Sequence, residues 1–379
     1  MLNKIKRKII SIITGEGRRQ FLSFESFLYF VSIVYFGLAK FRAVIYERGI
    51  IRSKGLPCKV ISIGNITTGG TGKTPMTLYM AQLVQRLGYE VTVISRGYKG
   101  ELEKTGGMVS NGETVLMGPE KAGDEPFMLA SRLKKIPVMV GKNRFEAGMQ
   151  AVKKFNPDVI VLDDAFQHLK LKRDVDLVLL DSNSPIGNSH LLPRGVLREP
   201  LSALRRADAF IMTRSGRKSE EETKKSLTGL KEYLKSKPVI KTSHQPYAYI
   251  VKKGKHIPFA SISKNSFLYD FDFLEDRRVL AFAGIARNDD FLHTVESFKC
   301  DIVDFIGFED HHRYSGSDLN RIFHLAQKTK AELLITTEKD YARIANRIAW
   351  PNDLVVIGIQ ISFINDPTAL VDFVKTALS

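Results

Sequence analysis

The chain has 379 residues, 44% of them hydrophobic, enough to bury a large core in two domains. Lys and Arg number 57 against 41 Asp and Glu, and the resulting +16 points to nucleic acid, an anionic membrane or a phosphorylated substrate. Its two cysteines, Cys58 and Cys300, exclude a disulfide scaffold or a cysteine-built metal site and suit a reducing cytoplasm.

Residues 1–45 are basic, then apolar. Lys4, Lys6, Arg7, Lys8, Arg18 and Arg19 precede 20-QFLSFESFLYFVSIVYFGLAK-40. Thirteen residues of it, Phe27 to Ala39, carry no charge, and Lys40 and Arg42 follow. A spanning helix needs about 20 apolar residues, so this run is short for one. No small-residue cleavage site follows, which disfavours a secretory signal peptide. A core helix packed on the domain is the plain alternative. Aromatic content and basic flanks favour a helix lying in the membrane interface, with cations on anionic headgroups. Much of the positive charge is then a membrane and substrate matter, and no nucleic-acid motif is recognisable.

An apolar strand, 59-KVISIG-64, leads into 64-GNITTGGTGKTP-75. The pattern GxxxxGK[ST] wants glycine five residues before the one preceding lysine, and Thr67 stands there. Gly69, Gly70 and Gly72 remain, so backbone N–H groups can still curl around a phosphate. Lys73 is placed to reach the β/γ-phosphates and Thr74 to ligate Mg²⁺. The stretch 75-PMTLYMAQLVQRLG-88 reads as the helix whose N-terminus faces the charge, with Pro75 in its first turn and Gly88 at its end. Residues Thr67, Thr68, Gly69, Gly70, Thr71 and Gly72 are the expected cradle, with Lys73 and Thr74 completing it.

Further apolar runs follow at 90-EVTVIS-95, 136-IPVMV-140, 159-VIVL-162, 176-DLVLL-180 and 209-AFIMT-213. Runs this continuous suit strands buried on both faces, hence a parallel α/β sheet with its ligands at the carboxyl strand ends. In 157-PDVIVLDDAFQH-168 the strand ends in Asp163 and Asp164, placed to hold Mg²⁺ beside a phosphate loop as a Walker B element does. In 123-GDEPFMLA-130, Asp124 and Glu125 read first as caps of a helix beginning at Pro126. Arg144 in 141-GKNRFEAG-148 is either surface charge or a phosphate clamp. The long loop 182-SNSPIGNSHLLPRGVLREPLSAL-204 carries Arg194, Arg198 and Glu199 and has the length of a functional loop.

Residues 215–238 are densely charged, with Leu227, Leu230 and Leu234 at helical spacing, and read as a solvated helix near a domain boundary. A second strand series, 278-RVLAFAGIA-286, 301-DIVDFIG-307, 332-ELLITT-337 and 354-LVVIGI-359, indicates a smaller α/β domain. The expected division is 1–45, 46–235 and 236–379. In 309-EDHHRYSG-316 the His311–His312 pair has no third metal ligand at useful spacing, which leaves proton transfer at a domain interface or an ordinary turn. The segment 336-TTEKDYARI-344 follows a strand in the manner of a base-recognition loop.

Taken in order, these motifs resemble the tetraacyldisaccharide 4′-kinases of lipid A biosynthesis. The matching residues are GNITTGGTGKTP, SRGYKG at 95–100, GDEP at 123–126, GKNR at 141–144 and DDAFQH at 163–168. LPRGVLREP at 192–200, GIA at 284–286, DHH at 310–312 and TTEKD at 336–340 continue the set, so the resemblance spans nearly the whole chain. The irregular phosphate loop is itself a family trait. Ala165 and Asn288 depart from the family's usual glycine and proline.

The resemblance implies two α/β/α sandwich domains, a P-loop NTPase-like first one, a membrane-interface helix ahead of it and an active site in the cleft between. It implies transfer of the ATP γ-phosphate, with Mg²⁺, to the 4′-hydroxyl of a lipid disaccharide 1-phosphate, giving lipid IVA at the cytoplasmic face of the bacterial inner membrane. No obligate protein partner is implied. By the same resemblance Asp124 is the catalytic aspartate, His311 its partner from the second domain, and Glu125 a metal-associated neighbour of Thr74, Asp163 and Asp164. Gln167 and His168 line the site, and Arg144, Arg198 and Glu199 are charged residues of the cleft. Pairing of Asp124 with His311 implies domain closure. A switch ATPase that phosphorylates no substrate is the rival, but it has no use for GDEP plus DHH.

Overall fold

The computed structural model describes residues 24–216, 227–255, 257–262, 266–345 and 349–379. The basic residues Lys4 to Arg19 therefore lie outside the described residues, as does much of the charged stretch expected as a helix at 215–238. What is described of that stretch is a single 3₁₀ turn, Thr228–Leu230, and a four-residue helix, Lys231–Leu234.

The strands are β1 (Lys59–Asn65), β2 (Val91–Ser95), β3 (Gly107–Ser110), β4 (Val138–Val140), β5 (Val159–Asp163), β6 (Val175–Asp181) and β7 (Ala209–Thr213). They continue with β8 (Val239–Val251), β9 (Arg278–Ala283), β10 (Asp301–Gly307), β11 (Leu333–Thr337) and β12 (Asp353–Phe363). Both series belong to one twelve-stranded sheet, ordered β10-β9-β11-β12-β8-β7-β6-β1-β5-β2-β4-β3. Neighbours are parallel except β3 with β4 and β8 with β12. Strand β8 is the seam: Val239–Lys241 pairs with β7, and residues 242–251 pair with β12.

The continuous apolar runs are explained by cover on both faces. Ile61 and Ile63 of β1 pack with Met76 and Met80 of the helix after the phosphate loop. Val60, on the opposite face, packs with Ala147 and Ala151 from the helix at 144–155. The second half repeats this. Leu280 and Phe282 share a core with Leu319 and Ile322, whereas Val279 and Ala281 meet Phe291 and Val295.

The helices that position the site are α1 (Phe24–Glu47), α2 (Lys73–Arg86), α3 (Pro119–Ala122), α4 (Asp124–Arg132) and α5 (Arg144–Phe155). After the short α6 (Lys231–Leu234) come α7 (Asn288–Glu296), α8 (Gly316–Thr329), α9 (Glu338–Ile344) and α10 (Thr368–Leu378).

Helix α1 runs for 24 residues, beyond the charge-free stretch, and is long and apolar enough to cross a membrane by length and composition. It is nonetheless tied to the first half along its length. Glu25 pairs with Arg194, Ser32 donates to the Leu191 carbonyl, Tyr35 to that of Arg198, and Arg42 to that of Gln167. These residues follow helical spacing on one face. Phe27, Phe30, Val34, Leu38 and Phe41 form the other face, and Phe27, Phe30, Leu38 and Phe41 are each more than half exposed.

Candidate functional site

The loop at 64–75 closes around its own polar groups. Asn65, the last residue of β1, donates to Thr71 Oγ1 at 2.8 Å and accepts from Lys73 Nζ at 3.3 Å. Thr67 and Thr71 are buried. Thr68 N–H donates to the Val196 carbonyl at 2.8 Å, and Arg198 N–H to that of Ile66 at 2.7 Å. The corner that lacks a glycine is thus held from outside, by the 192–200 loop. Gly72 caps α2 at φ 85°, a left-handed position where a Cβ would lie 2.6 Å from His244 Nε2. Thr74 lines the cleft beyond.

At the end of β5, Asp163 is buried and accepts from Thr77 Oγ1 at 2.9 Å and Ser95 Oγ at 3.2 Å. From α2, the hydroxyl that meets the buried strand-end acid is therefore that of Thr77, one turn into the helix, a residue the loop pattern does not point to. Asp164, with φ 50°, lies 3.7 Å from Lys73 Nζ and accepts two contacts from Arg198 at 2.9 and 3.0 Å. Burial raises the Asp163 carboxyl above its ordinary range, and the nearby charges of Glu125 and Asp164 push it the same way. Burial acts likewise on Asp164, but Lys73 and Arg198 outweigh it and keep that acid ionised.

Asp124 and Glu125 are not caps. Helix α4 already begins at Asp124, its N-cap is Gly123, and no side chain caps it. The Asp124 carboxylate instead accepts from His311 Nδ1 at 2.9 Å and from Arg343 Nε at 2.9 Å, both from the second half. An ionised carboxylate only accepts, so the His311 tautomer carries its proton on Nδ1. Burial opposes that charge, yet the hydrogen bond from His311 and the Arg343 guanidinium hold the pKa at about 2. Glu125 pairs with Lys339 at 3.2 Å. The 336–344 segment thus sends Lys339 and Arg343, one turn apart on α9, to the two acids. Beneath them Arg132 of α4 pairs with Glu338 in a buried contact that Tyr247 OH joins at 2.7 Å.

His312 faces elsewhere. Its Nε2 lies 3.1 Å from Asp318 in the capping box of α8, and its ring stacks on Phe308. The sequence does not tell these adjacent histidines apart; the fold does.

Other expected cleft residues divide by how freely they face it. Gln167 donates to the Asn65 carbonyl, and His168 Nε2 is buried with no hydrogen-bond partner among the described residues. Burial, then Arg144 and Arg173, lower the His168 pKa to about 4, so its ring is neutral. Arg144 is not surface charge: it is buried, donates to the carbonyls of Gly141, Lys142 and Asp164, and burial lowers its pKa to about 10. Glu199 borders the cleft, but its carboxylate is taken up by Arg206 at 2.6 Å.

The phosphate loop, Asp164, Asp124's neighbour Glu125, and His311 line one cleft of about 1590 Å³ between the halves, with Tyr35 and Leu38 of α1 at its edge. Phosphate-binding backbone, a lysine, paired acids and an oriented carboxylate are what phosphoryl transfer to a hydroxyl requires.

A family model described as Tetraacyldisaccharide-1-P 4′-kinase matches residues 24–379. A tetraacyldisaccharide 4′-kinase from Desulfatibacillum aliphaticivorans is 37% identical over 380 residues, covering 100% of this chain and 99% of the relative. One from Syntrophus aciditrophicus is 41% identical over 325 residues, covering 83% and 84%. Among solved structures, LpxK from Aquifex aeolicus in complex with ATP matches with a TM-score of 0.71 at 28% identity, over 94% of this chain and 100% of that one.

Proposed function

The chain belongs to the tetraacyldisaccharide 4′-kinase family, and from that premise we propose that it transfers the γ-phosphate of ATP to the 4′-hydroxyl of tetraacyldisaccharide 1-phosphate, forming lipid IVA. The observation that carries the residue assignment is the Asp124–His311 pair, 2.9 Å apart across the cleft that the phosphate loop opens into. A switch ATPase needs no such pair. Incubated with ATP and the lipid disaccharide 1-phosphate, the protein is expected to yield a doubly phosphorylated lipid; ATP hydrolysis with no phosphorylated lipid sinks the proposal. Residues 46–235 and 236–379 act as the two lobes. The lobes meet through Asp124 and His311, and in this reading the pair is complete only when the lobes are closed.

Lys73 neutralises charge on the transferring phosphoryl group, and Gly69 to Gly72 present N–H groups to the phosphates, while the Thr68 N–H is taken up by the Val196 carbonyl. Asp124 orients the acceptor hydroxyl. A carboxylate of pKa about 2 is a weak base, but phosphoryl transfer passes through a loose transition state in which the hydroxyl keeps its proton until late. Asp124 then takes that proton as the new P–O bond forms and the bond from the γ-phosphorus to the departing ADP oxygen breaks; His311 and Arg343, both bonded to Oδ2, hold the carboxylate in place and leave Oδ1 open. The residues suit Mg²⁺: Thr74, Asp163 and Asp164 offer hard oxygens, and the crowding that raises Asp163 is relieved by a cation. Glu125 is near enough to contribute to that crowding but pairs with Lys339. Thr74, Asp163 and Asp164 would hold the ion, whose charge would offset the negative charge that develops on the phosphates.

Helix α1 lies in the membrane interface at the cytoplasmic face, with its phenylalanine face in lipid and its docked face on the enzyme. The docking contacts run from Glu25 to Arg42, about 26 Å of helix at 1.5 Å per residue; a spanning helix would have to give all of them up. Removing residues 1–40 is expected to release the protein from vesicles and raise KM for dispersed lipid, with ATP affinity little changed. Salt should weaken membrane binding, because the basic flanks act within a Debye length of about 8 Å. A protease-protected terminus on the far side of the bilayer would mean a spanning anchor instead.

A further inference from the structure

A phosphate loop that turns its N–H groups inward must turn its carbonyls outward, where each needs a donor. Here the glycine pair is the weak point: Gly69 takes φ 102°, and among the described residues neither Gly69 nor Gly70 has a neighbour within 4 Å of a Cβ position. The Gly70 carbonyl does find a donor. Arg214, just past the end of β7, gives it Nη2 at 2.7 Å. The same guanidinium gives Nη1 to Asp181 at the end of β6, at 2.6 Å. Arg214 is buried and sits at φ 54°, a backbone region uncommon for a long side chain.

Asp181 is shared. Arg287, the residue before α7, donates Nη1 to the same Asp181 Oδ2 at 2.7 Å. Asp290 on α7 lies 3.4 Å from both guanidiniums. Two cations and two anions therefore make a neutral cluster, with Asp181 and Arg214 from the first half and Arg287 and Asp290 from the second. Burial alone would raise the Asp181 carboxyl, but Arg214 and Arg287 keep it below the ordinary range.

Resting on the reading of residues 64–75 as the nucleotide's phosphate loop, we propose that Arg214 is a positioning residue for that loop, and that through Asp181 it makes the loop's shape depend on contact with the second half. Arg214 contacts no reacting atom in this scheme. It fixes the one flexible stretch of the loop by a charge-assisted hydrogen bond, and Arg287 steadies Asp181, which steadies Arg214. When the halves separate, Arg287 and Asp290 withdraw and the loop loses part of its support. ATP affinity is thereby tied to closure.

The test uses the full chain with ATP binding measured alone and turnover measured with the lipid disaccharide 1-phosphate. Arg214→Ala is expected to raise both Kd and KM for ATP by about tenfold or more, the usual cost of a lost charged hydrogen bond, with a smaller loss of kcat at saturating ATP. Arg287→Ala should raise them less. The double variant should be no worse than Arg214→Ala, since both act through Asp181. Unchanged ATP Kd and KM beside a lowered Tm would make Arg214 a merely structural residue and overturn the proposal; multiplicative effects in the double variant would overturn the link to the second half. If Arg214→Ala does not fold, Arg214→Lys reads the same question, because one ammonium cannot serve Gly70 and Asp181 as the fork does, and an unchanged Kd there is equally fatal. Lys73→Ala is the control: should it keep full ATP affinity, the phosphate-loop reading fails, whatever Arg214 does.

Discussion

Lys73→Ala and Asp124→Asn are expected to stop turnover by different routes. Lys73 Nζ sits between Asn65 and Asp164, at the loop we propose receives the phosphates. In the proposed scheme it contacts the nucleotide before any chemistry, so its loss should cost ATP affinity as well as about 10²–10³ in kcat, the scale of one lost transition-state donor. Asp124, on α4 and tied to His311 and Arg343, is the residue proposed to act on the acceptor. Asparagine keeps its shape and removes its charge, so turnover should fall by about 10²–10⁴ with ATP affinity near that of the parent protein. The fold should survive, because Arg343 retains Asp340 at 2.8 Å and the Gly284 carbonyl at 3.0 Å. Equilibrium ATP binding and single-turnover transfer, measured on both variants, separate the two routes. Should Asp124→Asn lose ATP as severely as Lys73→Ala yet turn over normally once saturated, Asp124 belongs to the nucleotide and not to the acceptor.

Much of this site is legible in the sequence because it lies at strand ends. The phosphate loop follows β1, the paired acids follow β5, and the apolar runs that mark those strands are continuous because helices cover both faces. Two strands escape such reading for physical reasons. Strand β3 is a four-residue edge strand, too short to show a period. Strand β8 contains His244, Gln245 and Pro246, residues that argue against a central strand. It tolerates them because β7 pairs only with Val239–Lys241, so at Pro246, opposite Ile359 of β12, one edge of the strand has no strand partner. The site residues that sequence reading misses share one trait: their partners are distant in the chain. Arg343 lies 219 residues from Asp124, Lys339 lies 214 from Glu125, and Arg214 lies 144 from Gly70. A signal for the first two exists in TTEKDYARI, where Lys339 and Arg343 stand four apart and share a helix face. Nothing comparable marks Arg214, which is one basic residue after an ordinary strand.

His311→Ala should cost far more turnover than His312→Ala. The two side chains differ in what they hold. His311, at φ 60°, gives its Nδ1 proton to the Asp124 carboxylate across the cleft and packs edge-on to Tyr98. His312 bonds Asp318, whose carboxylate also receives the N–H of Ser315. Loss of His312 therefore loosens the start of α8, at a cost of about 0.5–2 kcal/mol if the cap is weakened, and shows as a lowered Tm. Loss of His311 removes one of the two groups that orient the Asp124 carboxylate, the proposed acceptor of the substrate proton. Arg343 alone then holds Asp124, so the carboxylate stays charged but is free to turn. The expected deficit is about 10²-fold or more in kcat, with KM for ATP unchanged, because the phosphate loop is not touched. A His311→Gln variant, which restores a donor but cannot carry charge, should recover part of the rate if orientation is what matters. Equal and mild losses in the two alanine variants would reduce His311 to a contact between lobes, and would leave Asp124 to act with Arg343 alone.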